Sequence, residues 1–113
     1  MNKAAVLHQQ GCNCCQSVVM AYGDKLPIAA TDAMNVAAPF GRGLAGTHEV
    51  CGCVSGMAMV CGLTAHTGDV RTLVEKFRKE NGDIVCGRLL RMGKRPCKEL
   101  ITEAAGLLHS TVE

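Results

Sequence analysis

A chain of 113 residues suffices for one domain and one hydrophobic core. Its net charge of +2 and its few aromatics, Tyr22, Phe40 and Phe77 with no Trp, argue against a nucleic-acid surface, which would interleave basic and aromatic side chains. No stretch reaches the roughly 20 apolar residues of a membrane span, and the N-terminus lacks a signal-peptide apolar region, so the expected compartment is the cytoplasm. The core must be built from Ala, Val, Leu, Met and Cys, a palette that favours helix over sheet. The expected fold is all-α: a compact bundle of five or six helices around a buried central helix, forming one cysteine-rich domain over residues 1–113.

Residues 2–9 are predicted as a short helix ending near Gly11. From Cys14, the positions Cys15, Val18, Val19 and Tyr22 fall on one helical face. Gly23 and Pro27 are expected to end that helix. A second runs from about Ile28 to Ala38, with Ala30, Ala33, Met34 and Ala37 inward, and Pro39 stops it. The glycine loop Phe40–Thr47 then delivers the chain to the stretch from Val50 to Leu63. That stretch is apolar nearly all round and is predicted as the central helix, continuing to about Ala65. Gly52 and Gly56, four apart in a helix, imply close approach of another backbone or a cofactor. The same spacing permits tight packing within or between chains, a homodimer included.

Gly68-Asp69 reads as a turn with Asp69 as N-cap. Val70, Leu73, Val74 and Phe77 form an amphipathic stripe, and Glu75 and Lys79 make a favourable i, i+4 pair. Asn81-Gly82 ends this helix. A short helix starts around Cys86 and carries Leu89 and Leu90. After a break at Gly93-Lys94-Arg95-Pro96, the last helix runs from Cys97 to about His109, with Leu100, Ile101, Ala104, Leu107 and Leu108 inward. The basic residues between Arg71 and Lys98 alternate with Glu75, Glu80 and Glu99, as on a solvated face. Ile84-Val85 is too short to count as a strand.

Eight cysteines exceed what core filling needs in a reducing compartment. Cys14, Cys51, Cys86 and Cys97 each fall at or near a helix start, where unpaired N–H groups favour a thiolate. Four thiolates from four segments are the ligand set of an iron–sulfur cluster. Cys15 and Cys61 read as packed core thiols. Cys12 and Cys53 are open between extra ligands, resolving thiols and small fillers. His48, closest to the glycine loop and Cys51, is a candidate ligand or neighbour of the ligands. Met57 and Met59 read as core.

His8-Gln9-Gln10-Gly11-Cys12-Asn13-Cys14 resembles the H-x-x-G-x-N-C opening of the C_GCAxxG_C_C family of redox-active proteins. Gly41-Arg42-Gly43 and Cys51-Gly52-Cys53-Val54-Ser55-Gly56 resemble its glycine loop and C-G-A-x-x-G motif. Cys86-Gly87-Arg88-Leu89-Leu90 resembles its C-x-x-L-L segment, and Cys97 its last cysteine. The resemblance implies Cys14, Cys51, Cys86 and Cys97 as the characteristic cysteines. It also implies likeness to the iron–sulfur part of split-Soret cytochromes, hence an iron–sulfur cluster, a redox or electron-transfer role and a redox partner protein. The haem part finds no C-x-x-C-H here. The chain departs from the pattern at Cys53, where the motif has Ala, and at Cys12 and Cys15, which flank Cys14. The alternatives are a thiolate module for zinc or copper, a small redox enzyme with a reactive cysteine, and a cluster-free dithiol–disulfide protein.

Overall fold

The computed structural model describes residues 2–93 and 98–112, without the side chain of Lys98. Cys97 and the predicted break beyond Gly93 lie outside the described residues. Among the described residues the chain forms seven α-helices: α1 (Lys3–Gln9), α2 (Cys14–Met20), α3 (Ala30–Ala37), α4 (Gly52–Leu63), α5 (Val70–Asn81), α6 (Cys86–Arg91) and α7 (Lys98–Val112). The all-α class is as expected. The seven helices are one more than the five or six expected, and each lies on a segment that the sequence predicts as helical. The β structure of the described residues is one isolated antiparallel bridge, Val50 to Val85. No described helix is long and apolar enough to cross a membrane.

Helix α4 is the hub, packing on α2, α5 and α7. Its glycines explain how closely α2 approaches. A Cβ at Gly56 would sit 3.0 Å from Val18 Cβ and 3.2 Å from the Cys15 carbonyl oxygen. A Cβ at Gly52 would collide with Cys14 Sγ and stand 2.8 Å from the Phe40 carbonyl oxygen. The close approach inferred from the sequence is therefore made by α2 and the end of the Ala38–Phe40 turn. Cys15, Val18 and Val19 on α2, and Tyr22 just beyond its end, are buried as expected. Tyr22 also donates its hydroxyl to the Ala105 carbonyl at 2.6 Å, tying α2 to α7.

Four local expectations are corrected. Helix α2 ends at Met20, before Gly23, and a short 3-10 turn over Gly23–Lys25 follows. Helix α3 begins at Ala30, which is exposed, so its buried face is narrowed to Ala33 and Ala37 with Met34 half-buried. Asp69 does occupy the N-cap of α5, but its backbone is helical and its side chain makes no cap bond, because the 3-10 turn Thr67–Asp69 already leads into the helix. Glu75 pairs with Arg78 at 3.4 Å, one residue nearer than the expected Lys79. The stripes on α5 and α7 hold: Leu73, Phe77, Leu100, Ile101, Ala104 and Leu108 are buried, with Val70, Val74 and Leu107 packed against them.

Candidate functional site

The site begins with Asn13, which caps α2. Its side-chain oxygen accepts from the Gln16 N–H at 2.9 Å, and Gln16 Oε1 accepts from the Asn13 N–H at 3.0 Å. This reciprocal box fixes the first turn of α2 and makes Cys14 its first residue. Asn13 Nδ2 also donates to the Ala38 carbonyl at 3.0 Å, which anchors the cap to the end of α3.

The glycine loop brings the second and third sulfurs. The Cys51 N–H donates to the Ile84 carbonyl at 2.7 Å, and the Cys86 N–H donates to the Glu49 carbonyl at 2.6 Å. These bonds flank the Val50–Val85 bridge and lay the entrance of α4 beside the entrance of α6. Gly43, at φ +71°, makes the crossing possible, since a Cβ there would lie 2.8 Å from Cys86 Cβ and 2.6 Å from the Glu49 nitrogen. Cys51 is the N-cap of α4 and Cys86 the first residue of α6.

Cys14, Cys51, Cys53 and Cys86 are all buried, and none of the seven described cysteines is in a disulfide. Cys14 accepts a hydrogen bond from the Cys53 thiol and further bonds from the N–H groups of Arg42, Cys15 and Cys14. Together these outweigh burial and hold its thiol pKa at about 6, so it is a thiolate at neutral pH. Cys51 is likewise lowered, first by the Cys53 thiol and then by the N–H groups of Cys53 and Val54. Cys53 pays the opposite way: burial first, then its donation to Cys14 and Cys51, keeps its proton in place. Burial pushes Cys15 to about 12, with the charges of Cys14 and Cys51 adding to it. Burial and the same two charges raise Cys86.

A cavity of about 500 Å³ opens beside this cluster, with Cys12, Cys14, Arg42, His48 and Cys86 in its walls. His48 Nδ1 lies 3.5 Å from Cys86 Sγ. His8 Nδ1 donates to the Cys12 carbonyl at 2.9 Å and closes another wall of the same cavity. Cys12 is half-buried there. Cys15 points into the core, 3.8 Å from Met59 Sδ, and Cys61 is buried in α4, as core thiols should be. Among the described residues, no three of His, Cys, Asp and Glu close around a single point as one metal ion requires.

Three of the four sequence-derived ligand candidates thus meet at one end of the bundle, and the fourth, Cys97, directly precedes α7 in the chain. Sequence reasoning left Cys53 undecided. Its place under both Cys14 and Cys51 follows from the packing of α2 on Gly52, which no local pattern announces. No curated protein and no solved structure matches the chain. Residues 12–111 match the family described as "Putative redox-active protein (C_GCAxxG_C_C)", and the chain belongs to that family.

Proposed function

We propose that this redox-family protein binds an iron–sulfur cluster through Cys14, Cys51, Cys86 and Cys97 and passes electrons to a protein partner. The observation that carries the proposal is the convergence of Cys14, Cys51 and Cys86 beside a cavity of about 500 Å³, with N–H groups directed at two of the sulfurs. Those N–H groups suit thiolate ligands, since hydrogen bonds to sulfur offset negative charge.

When bound, such a cluster supplies one-electron transfer. The chain's own part is to bury the sulfurs, hold Cys51 and Cys86 in register through the Val50–Val85 bridge, and set the hydrogen bonding around Cys14. The experiment is visible absorption of protein purified without oxygen. Absorption from sulfur-to-iron charge transfer, bleached by dithionite, is expected. A colourless chain that stays colourless after addition of iron and sulfide overturns the proposal.

A further inference from the structure

We propose that the mouth of the cavity of about 500 Å³ binds a small organic anion, a carboxylate or a phosphate ester, on the guanidinium of Arg42. The inference goes beyond the iron–sulfur proposal, because it concerns a molecule taken from solvent by the chain with no cluster bound.

Arg42 stands where glycine would be the less strained residue. Its φ is +55°, in the left-handed region that is costly for an L side chain. Its neighbours Gly41 and Gly43 are both glycines, and Gly43 is also left-handed. The loop keeps this shape through its own bonds. The His48 N–H donates to the Arg42 carbonyl at 3.2 Å, and the Thr47 hydroxyl donates to the Gly43 carbonyl at 2.8 Å. The side chain at 42 does little for the fold. It is exposed, and among the described residues no carboxylate pairs with its guanidinium. A strained residue whose side chain neither packs in the core nor forms an ion pair points to a role in binding.

What the side chain does line is the cavity. The walls also hold His8, Asn13, His48 and Leu90, and among the described residues they include no Asp or Glu. The other polar groups are engaged. Asn13 is bonded to Gln16 and to the Ala38 carbonyl. His8 Nδ1 is bonded to the Cys12 carbonyl, and His48 Nδ1 lies against Cys86 Sγ. Arg42 remains as the permanent positive charge of these walls. It is exposed whereas Cys14 and Cys86 in the same walls are buried, so the charge lies at the mouth and the sulfurs lie deep. A guanidinium presents its N–H groups as a planar fork that matches carboxylate and phosphate oxygens. The volume is in the range of small-molecule sites and larger than one anionic group fills. An organic body can therefore lie against Leu90, whose side chain is 43% exposed.

The test uses the full metal-free chain in Tris chloride with dithiothreitol. It is titrated with succinate or with glycerol 3-phosphate, and with sodium chloride at equal ionic strength as control. The amide signals of Gly11 and Leu90, in the cavity walls, should shift saturably with at least one organic anion and not with sodium chloride. The tighter of the two tells carboxylate from phosphate. Arg42→Gly should weaken binding about tenfold or more and melt no lower than the unmutated chain, since glycine relieves the left-handed backbone. Arg42→Lys, which keeps the charge but not the fork, should fall between. The absence of a saturable shift with either anion overturns the proposal. So does undiminished binding in Arg42→Gly, or a fall in its melting temperature, which would give the side chain a structural role. Iron and sulfide uptake separates this outcome from that of the cluster. A chain that takes up both but shows no saturable shift fails here alone, and one that binds the anion but never iron fails the cluster proposal alone.

Discussion

The sulfur of Cys14 rests on the bare Cα of Gly52, the residue that separates Cys51 from Cys53. Three sulfurs from two helices therefore meet where a single side-chain carbon would part them. The contact joins fold to chemistry, because the α2–α4 packing that builds the core also sets the hydrogen bond from Cys53 to Cys14.

Gly52→Ala and Gly62→Ala should have opposite effects. Both remove a helical glycine, which by itself favours the helix by about 1 kcal/mol. At Gly62 a Cβ meets nothing within 4 Å, so that gain should appear as a small rise in stability. At Gly52 the Cβ meets Cys14 Sγ and the Phe40 carbonyl, and overpacking of this kind costs about 1–3 kcal/mol. Urea denaturation of both variants checks this. A Gly52→Ala chain as stable as Gly62→Ala contradicts the contact.

Asn13→Ala should weaken α2 and the site together. It removes the capping box and the bond to the Ala38 carbonyl. Loss of an N-cap side chain costs about 0.5–2 kcal/mol. The expected result is a loss within that range, with faster amide exchange in the first turn of α2. Unchanged exchange at Gln16, whose N–H the cap accepts, contradicts it.

The pH dependence of the metal-free chain has a definite sign. A thiol whose pKa falls on folding adds stability above its unfolded value, and that stability is lost as the pH falls through its folded value. For Cys14 these values are an ordinary 9.0 and about 6, so stability should decline as the pH drops from 9 towards 6. Cys15 acts oppositely: its folded value of about 12 adds stability below 9 that is lost as the pH rises from 9 towards 12. The melting temperature of the metal-free chain should therefore rise between pH 6 and 9 and fall above it. Cys14→Ser should shrink the rise. A melting temperature that falls steadily from pH 6 to 9 contradicts the hydrogen bonding assigned to Cys14.

Much of the fold was legible because helical periodicity survives in long segments. The stripes Leu73–Phe77 and Leu100–Leu108 are each deep enough that tertiary packing follows the pattern. Short-range details were less legible. Asp69 looked like a cap, but its neighbours had already turned helical. Glu75 found Arg78 because both side chains are exposed and flexible, and either spacing serves. In the site, the helix starts at Cys14, Cys51 and Cys86 could be read from the apolar positions that follow each cysteine, whereas the cap that Asn13 makes at the first of them appears only in the structure. The bridge between Val50 and Val85 and the proton shared around Cys53 depend on segments far apart in sequence, which no local pattern relates.

The central claim concerns the ligand set. Cys86 and Cys97 have no neighbouring cysteine in sequence to replace them, unlike Cys14 and Cys51, which stand beside Cys12, Cys15 and Cys53. Cys61→Ser serves as the control, because that thiol is buried in α4 as core. The direct measurement is iron and acid-labile sulfide per chain after reconstitution without oxygen. The account expects full content in the unmutated chain and in Cys61→Ser, and loss of the cluster in both Cys86→Ser and Cys97→Ser. Full cluster content in both of those variants, or an unmutated chain that takes up zinc but never iron, would contradict it.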